Sequence, residues 1–160
     1  MTTCRYFFGS LVVGCMLSHA GLAFSEELDR QVVIDTLAAA DEQRRTAQPA
    51  SLTIPVQFDF ASARLTVDSA RVLDQVAAAM NDPTLIARTF VIEGHTDSVG
   101  DAEANLRLSL QRAEAVVTYL ISRNVASGRL TAAGYGKTRP LPGIPTTDGR
   151  NRRVVIVREF

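Results

Sequence analysis

Cysteine is scarce in this sequence: its two cysteines, Cys4 and Cys15, both lie within residues 1–25. That segment carries a single charge, Arg5, followed by an apolar run over 6–24 that ends in small residues before an acidic pair. A basic start, an apolar middle and small residues at the cleavage point are typical of a secretory signal peptide. We therefore predict that residues 1–25 are a signal peptide. The exported chain would contain no cysteine, which excludes a disulfide framework.

Two alternatives to ordinary cleavage near 23–25 stay open. The apolar run could be retained as a membrane helix, although a span needs about 20 residues and this run is marginally long and interrupted by polar residues. The stretch LVVGC, from Leu11 to Cys15, is similar to a lipobox, in which Cys15 would be lipidated and become the new N-terminus. Apolar residues continue well past Cys15, which favours ordinary cleavage. The predicted location is the periplasm, with outer-membrane association through a lipid on Cys15 as the less favoured alternative.

The sequence has no excess of either charge, with 17 basic residues (Lys and Arg) against 17 acidic residues (Asp and Glu). Removing Arg5 with the signal peptide leaves 16 basic residues against 17 acidic ones, a net charge of about −1. A near-neutral domain lacks the broad positive field that non-specific nucleic-acid binding requires. We therefore predict no nucleic-acid partner.

Histidine is also scarce, because His19 lies in the predicted signal peptide and only His95 remains. Zinc sites require several nitrogen or sulfur ligands. A hard cation would require a denser carboxylate cluster than Asp97, Asp101 and Glu103 provide. These shortages predict that the protein has no metal site and no cofactor.

Catalytic signatures are missing as well. The chain has no G-x-S-x-G motif, and no catalytic cysteine would survive cleavage. A nucleophile needs a base within hydrogen-bond reach. Ser98 or Ser109 could be combined with His95 and Asp97, but residues so close in sequence seldom converge with triad geometry. We predict a protein that is not an enzyme.

Strand and helix periodicities alternate along the chain after residue 50. The predicted elements are strand 53–60, helix 67–81 capped by Thr66, strand 89–93, helix 101–123, strand 130–134 and strand 153–159. Pro55 cannot donate to a strand ladder, which places the first strand at a sheet edge or makes it begin irregularly. This order predicts an α/β (α+β) fold, a βαβαββ sandwich with helices packed on a small mixed four-stranded sheet.

Residues 26–50 precede this domain, which we assign to 51–160. Residues 26–47 predict a helix rich in alanine and charge, followed by a break at Gln48-Pro49. The apolar members of this helix are Leu28, Val32, Ile34, Leu37 and Ala38. We predict a helical spacer or packing arm, and its periodicity leaves open whether it pairs with another copy or folds back on the domain.

The most informative stretch is EGHTDSVG, residues 93–100, in the turn between a predicted buried strand and the helix over 101–123. At 100° per residue, the predicted core stripe of that helix is Leu106, Leu110, Ala113, Val117 and Leu120. The neighbouring arc, which we expect to line a groove beside the turn, holds Asn105, Leu108, Ser109 and Arg112. Asp97 and Arg112 would then face one cleft. A carboxylate opposite a guanidinium suits a zwitterion that carries both an ammonium and a carboxylate.

Simpler interpretations of both residues stay open from spacing alone. Asp97 could cap the following helix through its backbone N–H groups, as short polar residues often do. Arg112 could be an ordinary solvated arginine. We expect His95 to donate hydrogen bonds that fix the turn rather than to react.

The stretch GHTDSVGDAEANLRLSLQRAEAVVTYL, residues 94–120, resembles the OmpA-like peptidoglycan-binding domain of peptidoglycan-associated lipoproteins and flagellar stator subunits. Upstream, Phe58, Ala63, Leu65 and Ala70 fit the opening strand and helix of that family. Downstream, GYGKTRPL from Gly134 and NRRV from Asn151 fit its closing loop and strand. The resemblance covers roughly residues 52–160.

The resemblance implies a wall-binding function. Domains of this family bind peptidoglycan through the meso-diaminopimelate of the stem peptide, whose free end is a zwitterionic amino acid. By position, Asp97 would take the ammonium and Arg112 the carboxylate. The resemblance further implies ligand contacts from Thr96, Asn105, Leu108, Arg152 and Asp59, and structural support from Gly94, His95, Gly100 and Ser109. Other envelope proteins are additional candidate partners.

The sequence departs from the family pattern where Gly149-Arg150 runs straight into Asn151. Two residues usually stand between those motifs, so the sequence leaves open which of Arg150, Arg152 and Arg153 reaches the ligand. A solvated arginine loop is the simpler interpretation. The rival functions are a periplasmic adaptor of the same fold that does not bind the wall, and a hydrolase acting on the same peptide.

Overall fold

The structure, a computed structural model, describes residues 29–38, 51–54, 56, 58 and 62–159. Its helices and strands are, in chain order, α1 (Arg30–Ala38), β1 (Ser51–Ile54), α2 (Val67–Met80), β2 (Phe90–Gly94), α3 (Ala102–Ser122), β3 (Leu130–Gly134) and β4 (Val154–Arg158). Short 3₁₀ turns over Ser127–Arg129 and Gly149–Asn151 precede β3 and β4. From β1 onward this order confirms the predicted βαβαββ arrangement.

The four strands form one mixed sheet in the order β1-β4-β2-β3. The central strand β2 pairs in parallel with β3 and antiparallel with β4, and β1 pairs antiparallel with β4. β1 therefore lies at an edge, as its composition predicted. It ends at Ile54, earlier than the predicted strand over 53–60, and Phe58 forms only an isolated bridge with Leu65. The proline at position 55 has no N–H to donate, which accounts for the early end of the ladder.

Helix α2 begins as predicted. The hydroxyl of Thr66 accepts a hydrogen bond from the Ser69 N–H at 3.3 Å, which satisfies one of the free donors of the first turn. The buried apolar face of α2 packs into the core. It is formed by Leu73, Val76, Ala77, Ala79 and Met80. At the C-terminal end of α2, Arg129 donates to the Met80 carbonyl at 2.9 Å, one of the carbonyls that the helix leaves free, and to the Leu85 carbonyl of the following turn at 2.8 Å.

The face through which helix α3 packs on the sheet overlaps the predicted core stripe in part. Ala113 and Leu120 are buried as predicted, and Val117 packs against the core. Leu106 and Leu110, two members of the predicted core stripe, are 47% and 38% exposed. The buried residues are Ser109, Arg112, Ala113, Val116 and Leu120. The cause is the close approach of the helix to two glycines of the sheet: a Cβ on Gly94 or Gly134 would lie within 3 Å of its backbone. The small side chain of Ser109 is buried at this contact, and Leu106 and Leu110 stay exposed beside it.

The described part of the predicted arm, α1, folds back on the domain. Val33, Ile34 and Leu37 are buried in the same core as α2 and the sheet, whereas Val32, an expected apolar member, is exposed. The buried Arg158 of β4 donates to the Leu37 carbonyl at 3.0 Å. This arm is therefore part of the packed core over the residues that the structure describes.

Several predictions fall on residues that the structure does not describe. They are the signal peptide over 1–25 with its Cys15, the ends of the predicted helix at 26–28 and 39–47, and the ligand contact assigned to Asp59. Within the described ranges, no helix combines the length and the apolar character needed to cross a bilayer.

Candidate ligand-binding site

The turn that follows β2 is held by the closing loop of the domain. Three of its backbone N–H groups donate to loop carbonyls: His95 to Arg153 at 3.0 Å, Thr96 to Gly136 at 2.9 Å and Ser98 to Thr146 at 3.0 Å. Because these bonds come from three separate points of the loop, the turn cannot shift without moving the loop as well. The side chain of Asp97 is thereby held in a fixed place.

Asp97 is nearly buried, with 9% of its surface exposed. Its Oδ2 accepts a hydrogen bond from Arg152 Nη1 at 2.7 Å, and its Oδ1 accepts one from the Val99 N–H at 3.1 Å. The cap of α3 is Asp101, which accepts from the Ala104 N–H at 2.9 Å. The interpretation of Asp97 as a helix cap is therefore wrong, because the turn places its carboxylate beside the closing loop.

Arg112 is not an ordinary solvated arginine, because only 8% of its surface is exposed. Its guanidinium carbon lies 4.8 Å from the centre of the Phe58 ring, and its Nε donates to the Ser62 carbonyl at 3.1 Å. Burial lowers the pKa of Arg112, the positive charge of Arg152 lowers it further, and Asp97 opposes both effects. Among the described residues, no carboxylate forms an ion pair with Arg112.

A cleft of about 720 Å³ opens beside these residues. Its described lining combines apolar and cationic side chains with small residues: Thr53, Ile54, Val56, Phe58, His95, Arg112, Leu141, Gly149, Arg150, Arg152 and Arg153. No Asp or Glu occurs in that lining. A cleft of this composition favours a ligand that carries carboxylate groups and an aliphatic chain.

The three arginines of the closing loop have different partners. Arg150 forms a two-point ion pair with Asp148 at 3.0 and 2.9 Å, and Arg153 donates to backbone carbonyls of the loop, one of them that of Arg139 at 3.1 Å. Only Arg152 reaches Asp97 within the described part of the chain. The geometry therefore favours Arg152 among the alternatives that the sequence left open.

The structure brings together three of the predicted ligand contacts, Asp97, Arg112 and Arg152. Arg152 pairs with Asp97, and the charges of both act on the guanidinium of Arg112. Among the described residues, Arg112 and Arg152 line the cleft, whereas Asp97, Thr96, Asn105 and Leu108 do not. Asn105 instead donates to the Val99 carbonyl at 2.9 Å and braces the turn, and Thr96 is buried within it.

Two neighbours of the site were not predicted as ligand contacts: the Phe58 ring beside Arg112 and the Ser62 carbonyl that Arg112 binds. Phe58 was placed only in the opening strand. Both residues are far from Arg112 in the sequence, and periodicity gives no signal for such a contact.

Glycines and a serine allow α3 to lie close beneath the turn. A Cβ on Gly94 would fall 2.0 Å from the Ser109 carbonyl oxygen. The fully buried Ser109 hydroxyl accepts from the Gly136 N–H and donates to the Leu106 carbonyl, both at 2.8 Å. Ser109 therefore joins the helix to the closing loop and does not line the predicted groove. Gly100 has a φ of +89°, a conformation that glycine adopts without strain.

His95 holds its position through packing. Its ring is 2% exposed and stacks on Tyr135 with 5.6 Å between the ring centres. Burial lowers its pKa from 6.5 to about 4, and the charges of Arg153 and Arg139 act in the same direction. Within the described residues neither ring nitrogen has a hydrogen-bond partner. The expectation of hydrogen bonds that fix the turn therefore holds for the backbone N–H of His95 and fails for its ring.

Comparison with known proteins agrees with this geometry. The sequence profile of the OmpA family matches residues 57–153, more than half of the chain. The chain belongs to the OmpA family. This membership confirms the resemblance seen in residues 94–120, and its solved relatives confirm the fold.

Individual relatives come from several bacteria. Outer membrane protein A of Bordetella avium is 38% identical over 101 residues, which cover 62% of this chain and 51% of that protein. The peptidoglycan-associated lipoprotein of Burkholderia pseudomallei is 30% identical with a TM-score of 0.57, covering 76% of this chain and 99% of the solved one. The periplasmic domain of Helicobacter pylori MotB, at 22% identity, shows the same fold with a TM-score of 0.59, covering 71% of this chain and 77% of the solved one.

The chain spans about half the length of the first full-length relatives that it matches. These relatives are named as outer-membrane proteins, and the solved relatives are named as a peptidoglycan-associated lipoprotein and a periplasmic domain. The OmpA-like assignment and an association of the family with the bacterial envelope follow from these names.

Proposed function

We propose that this protein binds cell-wall peptidoglycan, without catalysing a reaction, through the meso-diaminopimelate of the stem peptide. One observation carries the proposal: Arg112, a buried guanidinium that has no described carboxylate partner, lines the cleft, and the nearly buried Asp97 carboxylate lies close behind, paired with the cleft-lining Arg152. The name of the Burkholderia relative, a peptidoglycan-associated lipoprotein, supports it further. Binding of this kind would contribute to envelope integrity by tying the protein to the wall.

The free end of diaminopimelate carries an ammonium and a carboxylate on one carbon atom. Asp97 would accept the ammonium, and the Nη atoms of Arg112 would donate to the carboxylate, because its Nε is already committed to Ser62. A planar guanidinium suits a carboxylate, since it offers two parallel donors. Both groups are nearly buried, so these charged hydrogen bonds would be screened less by water than surface pairs are.

The apolar part of the cleft fits the rest of the residue. Ile54, Val56, Phe58 and Leu141 line it beside the charged end. The side chain of diaminopimelate is a short methylene chain, which gains free energy when such surfaces remove it from water. The cleft therefore provides both a polar end and an apolar wall for one amino acid.

Export and anchoring belong to the same proposal. Wall binding requires that the protein reach the periplasm, as the predicted signal peptide over 1–25 implies. Mass spectrometry of the protein purified from its native envelope would distinguish the two cleavage alternatives. A lipidated N-terminal Cys15 would show a lipid anchor, and an N-terminus near 23–25 would show ordinary cleavage.

Co-sedimentation with purified diaminopimelate-type peptidoglycan tests the proposal. The chain from residue 26, which keeps every described residue, should sediment with the wall, and Asp97→Ala and Arg112→Ala should not. Removal of one partner from a buried charged contact typically costs about 2–5 kcal/mol, enough to abolish a weak complex. Arg107→Ala is the matched control, because Arg107 is an exposed arginine of the same helix that pairs with Glu103.

Circular dichroism must show that each variant is folded. Loss of sedimentation in both site variants, with the control unchanged, would support the proposal. If the wild-type protein stays in the supernatant, or if the site variants sediment normally, the cleft is not a wall-binding site. The adaptor that does not bind the wall would then be the better account.

A further inference from the structure

Arg152 lies across the mouth of the site in the ligand-free protein. Its Nη1 is 2.7 Å from Asp97 Oδ2, although its own side chain is 56% exposed. The guanidinium passes directly over Gly149, where a Cβ would lie 2.6 Å from Nη2. A side chain at residue 149 would therefore press on the guanidinium of Arg152.

Each oxygen of the Asp97 carboxylate can accept two hydrogen bonds, and each already accepts one. Oδ1 accepts from the Val99 N–H within the turn, and Oδ2 accepts from Arg152. Arg152 lines the cleft, whereas its partner Asp97 does not. A ligand ammonium that enters from the cleft therefore meets Arg152 first and competes with it for Oδ2. Arg152 is the exposed partner of this pair, so it is the group that can leave.

We propose that Arg152 holds the ammonium position of the site until a ligand displaces it, and that this exchange selects the ligand. The inference rests on the proposed function, because it concerns the same Asp97 and Arg112. Binding then replaces one ion pair by two: the ligand ammonium takes Asp97, and the ligand carboxylate takes the released Arg152 together with Arg112.

The charges of the site explain why it should select one class of ligand. The groups that bind the ligand are one acid, Asp97, and two guanidinium groups, those of Arg112 and Arg152. The other two arginines of the cleft have partners of their own, since Arg150 pairs with Asp148 and Arg153 donates to loop carbonyls. Once an ammonium occupies Asp97, the two arginines are left as like charges near each other. Burial is the main cause of the lowered pKa of Arg112, and the charge of Arg152 lowers it further. Only a ligand with a free carboxylate beside its ammonium neutralises the two arginines. The ligand class is therefore a wall peptide with an unmodified diaminopimelate end, and peptides with an amidated carboxylate are rejected.

The protein should no longer discriminate against the amidated peptide when Arg152 can no longer pair with Asp97. Arg152→Gln removes the internal cation, so Asp97 becomes a nearly buried anion that is open to any ammonium. Gly149→Ala crowds the same guanidinium from one side, since its Cβ would lie 2.6 Å from Nη2, and should weaken the hold of Arg152 on Asp97. Gly128→Ala is the matched control, because a Cβ on Gly128 meets no atom within 4 Å.

Calorimetric titration with two synthetic stem peptides tests the exchange. One peptide ends in meso-diaminopimelate and the other in the same residue with its free-end carboxylate converted to an amide. The wild-type protein should prefer the first by about tenfold or more, which corresponds to one charged contact. In Arg152→Gln and in Gly149→Ala, the affinity for the amide should rise by about tenfold, so the preference should shrink.

The outcomes separate this inference from the function on which it rests. If the wild-type protein prefers the free carboxylate but the amide binds no more tightly to Arg152→Gln and Gly149→Ala, wall binding stands and the exchange is refuted. If Arg152→Gln weakens binding of the free carboxylate and leaves the amide unchanged, Arg152 is only a carboxylate contact. If the wild-type protein binds neither peptide, both proposals fall.

Discussion

Gly94 at the end of β2 lies directly against the backbone of Ser109 in α3, so closely that a Cβ on Gly94 would fall 2.0 Å from the Ser109 carbonyl oxygen. Asp97 follows Gly94 by three residues, and Arg112 follows Ser109 by three residues. The contact between strand and helix therefore sets the distance between the two charged groups of the proposed site. The contact between Gly94 and Ser109 thus serves both the fold and the proposed binding site.

Gly94→Ala should destabilise the protein strongly, because the clash is with backbone atoms that cannot rotate away. Overpacking of a tight core typically costs about 1–3 kcal/mol, and this approach is tight enough to place the cost at about 3 kcal/mol or above. Urea unfolding would measure the loss. Gly128→Ala, whose new methyl group would meet open space, should leave the free energy of unfolding within about 0.5 kcal/mol. Equal stability of the two variants would contradict the close approach.

Ser109→Ala should cost about 1–3 kcal/mol, because it leaves the buried Gly136 N–H without its acceptor. Ser122→Ala provides a matched control on the same helix. Both serine hydroxyls donate to the carbonyl three residues earlier, but Ser122 is exposed and Ser109 is buried. Thermal or urea unfolding should show a loss for Ser109→Ala alone. An equal change in both variants would mean that the bond to the closing loop contributes little.

Leu37→Ala tests whether α1 belongs to the folded core in solution. Leu37 is fully buried, and truncation of a buried leucine typically costs about 2–5 kcal/mol. Val32→Ala, on the exposed face of the same helix, should change the free energy of unfolding by less than about 0.5 kcal/mol. If Leu37→Ala is as stable as Val32→Ala, residues 30–38 do not pack on the domain in solution. They would then be a spacer rather than part of the core.

Stability should fall as the pH drops from about 6.5 towards 4, because of His95. Its folded-state pKa is about 4, whereas the unfolded chain has the ordinary value of 6.5. Between these values the unfolded state binds a proton that the folded state does not, so acid favours unfolding. Between pH 7 and pH 4.5, the free energy of unfolding should fall by about 2 kcal/mol more in the wild-type protein than in His95→Phe, whose ring cannot take up a proton.

Urea titrations of both proteins at pH 7 and pH 4.5 give this comparison. The acidic and basic neighbours of His95, namely Glu93, Arg139 and Arg153, are present in both proteins, so their own titration largely cancels. His95→Gln would serve as a second variant if the phenylalanine fails to pack beneath Tyr135. A parallel loss of stability in the wild-type protein and the variant would show that His95 does not resist protonation.

Local sequence patterns predicted most of the fold. The bounds of β3, the Thr66 cap of α2 and the order of the elements follow from alternation, capping residues and turn residues, which act over a few positions. The buried face of α3 was predicted only in part, since Ala113 and Leu120 are buried as expected. Leu106 and Leu110 are apolar and correctly spaced, but the helix backbone at Ser109 and Leu110 lies directly against Gly94 and Gly134, and both leucines stay exposed. Their exposure depends on a tertiary contact.

The candidate site was predictable only in part for the same reason. Asp97 and Arg112 were identified from their positions around one turn and one helix. The ion pair between Asp97 and Arg152, and the contact of Arg112 with Phe58, join segments that are far apart in the sequence. Asn105 was assigned to the ligand because it shares a helix face with Arg112, yet its amide braces the turn. A shared face does not determine which neighbour a side chain contacts.

The central claim is that the site recognises the zwitterionic end of diaminopimelate. Its most direct test compares two peptidoglycan preparations that differ at one residue of the stem peptide. Co-sedimentation should be measured with peptidoglycan that carries meso-diaminopimelate and with peptidoglycan that carries lysine, which has the ammonium but lacks the free-end carboxylate. The account predicts that the protein sediments with the first wall and stays in the supernatant with the second, because only the first supplies a partner for Arg112. Equal sedimentation with both walls would contradict recognition of the zwitterion.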